Sequence, residues 1–525
     1  MSTTRPIRSV RARGAMVASA DQLATQAGMW ALARGGNAVD AAIATNAAIA
    51  VTGPHLCGMG GDLFALVHDG TTVHALDASG RAGSGSNAAQ LRAEGFATMP
   101  FRHDIRTVTV PGCVDGWSAL HERFGRLPMH AVLEPAIRLA EHGFPASPLL
   151  IGSLALADVR ARDALAELVS QIRRPGDLVK RPGVARALRA IAEQGRDGFY
   201  LGEFGNGLRM LGNGLYDHAD LALAGARWVT PLSTVAYGQV LHTIPPSSQG
   251  YLLLGAAAIA EQLDLPADMD DPQWAHLLIE AAKVAGFDRP AVLHDRADGA
   301  ALLAAIAARA GSVQREHASH LPQFGGEGDT TYLCTVDDDR MGVSLIQSNA
   351  SGFGSWIVEP STAINLHNRG LGFSLEEGHP AELAPGHRPP HTLSPALATD
   401  RDGSLRAVFG TMGGDAQPQI LLQVATRLFH HGTSVADAIT APRWVLHGPT
   451  TGFDTWTGGT DPHVVVEASA PDTWRDDLTR RGHDVRIGPS LDSGFGHAHA
   501  IAVGDDGVLA GAADPRAAVG SVAGL

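Results

Sequence analysis

The clearest periodic signal is a helical one near the start of the chain. Leu23, Ala24, Ala27, Trp30 and Ala31 recur at helical spacing over 21–33, and Gly35-Gly36 stops the run. Asn37 can cap a second helix over 38–50, so rich in alanine that it must pack closely on its neighbours. The text FALVHDG-TTVHALD predicts a strand pair turning at Asp69-Gly70. From 111 to 309 the pattern is mostly helical, with 133–142 and 274–285 as examples and an extended stretch at 240–244. The character changes near 320. A glycine-rich polar stretch, HLPQFGGEGD (320–329), gives way to apolar strand-length runs at 330–336 and 341–347, turning at 337–340. A strand at 405–410, a helix at 418–430 and a short helix at 434–439 complete the pattern.

Composition narrows the class. The 525 residues are 45% apolar, enough to bury a large core, but only 5% aromatic, so packing relies on aliphatic side chains and close backbones. The formal charge of −14 includes no long basic run, which speaks against nucleic acid as a partner. No segment has the roughly 18 uninterrupted apolar residues of a membrane span, and the N-terminus lacks an apolar signal core. Cys57, Cys113 and Cys334 are far apart and lack metal-ligand spacing. These features predict a cytoplasmic protein without disulfide, metal or cofactor. The loop GPHLCGMGGD (53–62) is glycine-rich but lacks the Gly-Lys-Ser/Thr of a phosphate loop. His430-His431 and His497/His499 are the densest histidines, and their spacing fits core or surface roles.

Candidate chemistry lies at the junction of polar stretch and strand. If the peptide bond before Thr330 is cut, that residue carries a hydroxyl and a free α-amine, a nucleophile and a base in one residue. An α-amine has a reference pKa of about 7.7–8.0, suited to a general base. The same hydroxyl can make the cut by attacking the Asp329 carbonyl, and the glycines at 325–328 allow the bend. The turn GTMGGD (410–415), between a strand and a helix, offers Gly413 and Gly414 as backbone donors for an oxyanion. No GxSxG, HExxH or Walker A sequence competes.

Nearly a dozen further motifs occur in order along the chain. They include GAMVASADQLATQAGMWALARGGNAVDAAIA (14–44), LDASGRA (76–82), VPGCVDGW (110–117), LEPAIRLAEHGFP (133–145), PPSSQG (245–250) and GDTTYLCTVD (328–337). FGS (353–355), RPPHTLSPAL (388–397), GTMGGDAQPQ (410–419), APRW (441–444) and GHAHAI (496–501) follow. In these the chain resembles the γ-glutamyltransferase family of N-terminal-nucleophile hydrolases. The resemblance implies an α+β fold, a four-layer αββα sandwich with two central antiparallel sheets. It implies a zymogen cut between Asp329 and Thr330 into a large chain, 1–329, and a small catalytic chain, 330–525. The two would stay associated as one domain, with a homodimer of such pairs possible. The reaction implied is acyl transfer through Thr330, from a small-molecule amide to water or an amine, as in glutathione metabolism. Ser348 falls on the hydroxyl that supports the nucleophile, and Gly413 and Gly414 on the oxyanion hole.

The substrate positions depart from the family. Its Asn, Gln and Asp, which hold the α-amino and α-carboxylate groups of a glutamyl donor, align with Ala350, Arg369 and Gly372. Its serine pair aligns with His391-Thr392, and Thr331 follows the nucleophile. No arginine follows Arg81-Ala82 until Arg92, and the loop between Phe373 and Arg388 is shorter than in lidded members. Each lost charge-assisted contact costs about 1.5–3 kcal/mol. An ammonium therefore loses its acidic partner and a carboxylate gains Arg369. The alternatives to a γ-glutamyl donor are an oxamate-like dicarboxylic monoamide and a glutaryl-type amide. An unprocessed, non-catalytic scaffold is a third, which the retained Thr330, Ser348 and glycine pair disfavour.

Overall fold

The computed structural model describes residues 7–319, 330–447 and 463–525. Two seven-stranded sheets form the centre, each antiparallel throughout. The hairpin Thr331–Val336 and Gly342–Ser348 lies in the middle of one sheet, between Met16–Ser19 and Asp62–His68. In the other sheet, Leu405–Thr411 lies between Ala396–Thr399 and Ala498–Val503. Strands from before and after position 330 thus interleave in both sheets.

Both faces of each sheet are covered, which is why the hairpin strands read as continuous apolar runs. Tyr332, Cys334, Ile346, Leu397, Val408 and Ile501 pack between the sheets. Leu333, Val343 and Leu345 face the other way, onto the helices Ala38–Thr52, Cys113–Phe124 and Met129–His142. Ala407, Phe409 and Ala500 pack against Tyr251–Ala260, Pro272–Gly286 and Gln417–Ala425. The layers are helix, sheet, sheet, helix, the αββα order implied by the resemblance.

Local signals explain the best-defined helices. Asn37 Oδ1 accepts from the amides of Val39 and Asp40, and the Asp40 carboxylate accepts from the Asn37 amide. That reciprocal cap starts a helix whose fifteen residues are all buried, a density that alanine permits. The stretch 111–309 is mostly helical, and the extended stretch expected at 240–244 is the strand Gln239–Thr243. Two further strands, Arg227–Val229 and Leu232–Ala236, also lie here, so that this region supplies an outer strand of one sheet and two of the other. Arg227–Val229 spans three residues, too few to display a period, and Leu232–Ala236 is a half-exposed edge. The helix expected over 418–430 ends at Ala425 and continues as a wider turn over Thr426–His430. His497 and His499 are fully buried, whereas His430 is exposed. No described helix is long and apolar enough to cross a membrane.

The sheets approach closely at Gly410, where a β-carbon would lie 2.2 Å from the Tyr332 ring. We expect Gly410→Ala to destabilise the fold by about 1–3 kcal/mol through overpacking. Urea denaturation should show a lower midpoint at unchanged slope.

Candidate active site

Thr330 immediately precedes the central strand and is wholly buried. Since Thr331 pairs with Gln347, the register sets Thr330 opposite Ser348, and Thr330 Oγ1 donates to Ser348 Oγ at 3.1 Å. Strand alternation places Thr330 on the Tyr332 side, between the sheets, and Thr331 on the Leu333 side, towards the helices. The Thr331 hydroxyl has no hydrogen-bond partner and does not join the cluster at Thr330. Asp329 lies outside the described residues.

Three donors converge on the Ser348 oxygen. Besides Thr330 they are the Ala350 amide at 2.8 Å and Arg369 Nη2 at 3.0 Å. Arg369 opens the short turn Arg369–Gly372 and is 2% exposed. Its Nη1 donates to Thr392 Oγ1 at 2.9 Å. Burial draws its pKa down to about 10, Asp62 and Asp415 oppose that, and Arg289 adds to it. The guanidinium is therefore a cation at neutral pH, two hydrogen bonds from the Thr330 hydroxyl.

The acid that balances it is one the sequence did not single out. Asp62 is paired with Ser348 across the sheet and is fully buried. Its Oδ1 accepts from the amides of Gly80 at 2.9 Å and Gly112 at 3.1 Å. Its Oδ2 lies 3.1 Å from His391 Nε2 and 3.7 Å from His367 Nδ1. Burial alone would push its pKa up, but His367, His391 and Arg369 hold it down to about 2. An ionised Asp62 sets the proton of His391 on Nε2. Burial first, and Arg369 next, lower the His391 pKa to about 4, so the ring is neutral. The site thus holds an acidic group, and that group is committed to two amides and an imidazole.

The glycine turn completes the cluster. Gly413 has φ of 136° and Gly414 φ of 53°, conformations that side-chain-bearing residues rarely adopt. Consecutive amides in such a turn form a concavity suited to an anion. Gln249 Nε2 ties the turn to the opposite wall, donating to the carbonyls of Gly414 at 3.0 Å and Thr392 at 2.9 Å. Arg92, the first arginine after Arg81, is engaged with Glu382 at 2.7 Å and the Leu375 carbonyl at 2.9 Å.

With this geometry in view, comparison with known proteins is decisive. The Gamma-glutamyltranspeptidase family profile matches residues 24–524. The chain belongs to the γ-glutamyltranspeptidase family. The "Glutathione hydrolase-like YwrD proenzyme" of Bacillus subtilis is 35% identical, over 98% of this chain and 99% of that one. The "Oxamate amidohydrolase proenzyme" of Klebsiella pneumoniae is 36% identical, over 95% and 97%. Among solved structures, cephalosporin acylase from Bacillus halodurans superposes with a TM-score of 0.88 at 34% identity, covering 100% of this chain and 98% of that one. This γ-glutamyltranspeptidase-family member is accordingly an enzyme of the N-terminal-nucleophile class, a hydrolase or acyltransferase, and not a scaffold.

Asp62 compensates a buried cation, so Asp62→Asn should cost about 3–5 kcal/mol of stability at pH 7. Because its folded pKa lies below the ordinary carboxylate value, the difference from wild type should hold from pH 7 to about pH 4. It should shrink only as the pH falls towards 2, as followed by denaturant titration at each pH.

Proposed function

We propose that the enzyme cuts its own backbone between Asp329 and Thr330 and then hydrolyses a small carboxylate-bearing amide, of the oxamate or glutaryl kind, through Thr330. The liberated α-amine takes the hydroxyl proton as Oγ1 attacks the amide carbonyl. Gly413 and Gly414 receive the oxyanion. The proton passes to the departing amine as the C–N bond breaks, leaving an acyl ester on Thr330. Water, or an amine in the transferase direction, then attacks the ester and restores the threonine.

In this reading Ser348 orients the Thr330 hydroxyl, Arg369 and Thr392 receive the substrate carboxylate, and His391 borders it. The observation that carries the reading is the buried Arg369 guanidinium, joined to the Thr330 hydroxyl through one serine oxygen. A γ-glutamyl ammonium would have to sit beside that cation, and Asp62 already accepts from two amides and His391. The names of two relatives, an oxamate amidohydrolase and a glutathione hydrolase-like proenzyme, frame the same choice. The two chains would remain together because strands of one pair with strands of the other in each sheet. Work in the cytoplasm suits three buried, unpaired cysteines.

On a denaturing gel, purified wild type should give two bands, corresponding to 1–329 and 330–525, and Thr330→Ala one full-length band. Oxamate and glutaryl amides should be turned over with higher kcat/KM than γ-glutamyl-p-nitroanilide. Arg369→Gln should raise KM for the carboxylate-bearing substrates roughly 10- to 100-fold, with little effect on an uncharged acyl anilide. A γ-glutamyl donor matching or exceeding the others would defeat the substrate assignment.

A further inference from the structure

Far along the chain from the nucleophile, helix Pro272–Gly286 buries three polar side chains against the turn that follows helix Asp472–Arg480. His276 and Glu280 have no exposed surface, and Lys283 and His483 are 4% and 5% exposed. His276, Glu280 and His483 lie close enough together to hold a metal ion. Hydrogen-bond direction argues for a different role. An ammonium only donates, so Lys283 Nζ, 3.4 Å from His483 Nδ1, makes that nitrogen an acceptor. His483 must then carry its proton on Nε2, which donates to His276 Nδ1 at 2.9 Å. His276 Nε2–H in turn donates to the Gln314 carbonyl at 2.9 Å. A metal on His483 Nε2 would need the proton on Nδ1, facing the ammonium. Metal-bound histidines instead direct their second N–H at a carboxylate, carbonyl or water.

The cluster grips one irregular segment by its backbone. Lys283 Nζ also donates to Glu280 Oε1 at 3.0 Å and to the Ser319 carbonyl at 3.2 Å. The Ser319 amide donates to both Glu280 carboxylate oxygens, each at 3.2 Å. The Ala318 amide donates to the Arg481 carbonyl at 2.8 Å. The Arg315 carbonyl accepts from Arg481 Nη1 at 2.9 Å and Gln273 Nε2 at 3.1 Å. Meanwhile the side chains of Arg315, Glu316 and His317 point to solvent. Four residues within 314–319 are therefore held through main-chain atoms, and no side chain of 315–317 provides an apolar anchor.

We infer that His276, Glu280, Lys283 and His483 form a clasp that holds residues 314–319 of the large chain on its own helix Pro272–Gly286 and, through His483 and the neighbouring Arg481, locks that helix and segment to the small chain after cleavage. The inference rests on the proposed cut before Thr330, which puts 314–319 on one chain and Arg481 and His483 on the other. The clasp is sensitive to acid. The charged groups facing its imidazoles are Glu280 and Lys283 on the same helix and Arg481 at the far helix end. Arg481 in turn meets Asp477 and, at 3.9 Å, Glu316. Burial, then Lys283, His276 and Arg481, push the His483 pKa down to about 2, and burial lowers that of His276. Docked, both rings are neutral. Released, they take up protons near pH 6.5, so the clasp is strongest above that pH and weakens below it.

Carboxypeptidase trimming of the processed enzyme, read by intact mass, tests this. At pH 7.5 the wild-type large chain should be shortened to within 314–319 and no further, whereas at pH 5 trimming should pass 314. Lys283→Met and His483→Leu, checked for fold by near-ultraviolet circular dichroism, should each be trimmed past 314 at pH 7.5. Trimming of wild type past 314 at pH 7.5, or identical end points in wild type and folded variants, would overturn the clasp. Equilibrium dialysis against zinc should find no stoichiometric ion, and one zinc per wild-type chain, lost in His483→Leu, would replace the clasp with a metal site. If no large chain forms, the cleavage reading fails separately. The clasp is then tested in the uncleaved Thr330→Ala chain, where hydrogen exchange at Ala318 and Ser319 should quicken ~10-fold or more on adding Lys283→Met. Unchanged exchange there would refute it.

Discussion

A buried guanidinium must be neutralised nearby or it unfolds what surrounds it, and Arg369 imposes that constraint on the whole centre of the molecule. Its positive charge is met by Asp62, across the sheet from Ser348, and by Asp415 in the glycine turn, which itself lies 3.4 Å from Arg289. These groups come from four separate parts of the chain. Holding them together fixes the relative positions of the central hairpin, the glycine turn and the 388–397 stretch. The Thr330 hydroxyl inherits its orientation from this balance, because the serine oxygen it donates to also receives the guanidinium.

The same arrangement bears on specificity. Family members that recognise a glutamyl α-amino group need an acceptor-rich wall. Here the acceptors are used internally: Asp62 by two glycine amides and His391, and the Thr392 hydroxyl by Arg369. What the site retains is a fixed positive charge two hydrogen bonds from the Thr330 hydroxyl, and in the proposed function that charge favours a carboxylate-bearing acyl group.

Interleaved strands give the enzyme a second property. Cutting the chain at the head of the central hairpin removes no strand from either sheet, because neighbours on both sides remain hydrogen-bonded across the break. Residues 314–319 lie outside both sheets, and their grip is polar and local.

Much of this was legible in the sequence where the physics is local. The Asn37 cap, the alanine-dense helix after it, the hairpin at 331–348 and the glycine pair at 413–414 all follow from short-range patterning and backbone sterics. Thr330 stood at the junction of polar stretch and strand and Ser348 came from the family resemblance, and the hairpin register sets the two opposite one another. Asp62 could not be picked out, since its role depends on a strand that enters the sheet nearly three hundred residues earlier in the chain. Nor could the loss of Arg92 to Glu382, the outward turn of Thr331, the edge strands near 230, or the directed relay through His483. Residue types and near-neighbour periodicity determined which elements form and which chemistry is available. Only tertiary packing, by choosing which buried charges share a low-dielectric space, decided which of those groups could act on a substrate.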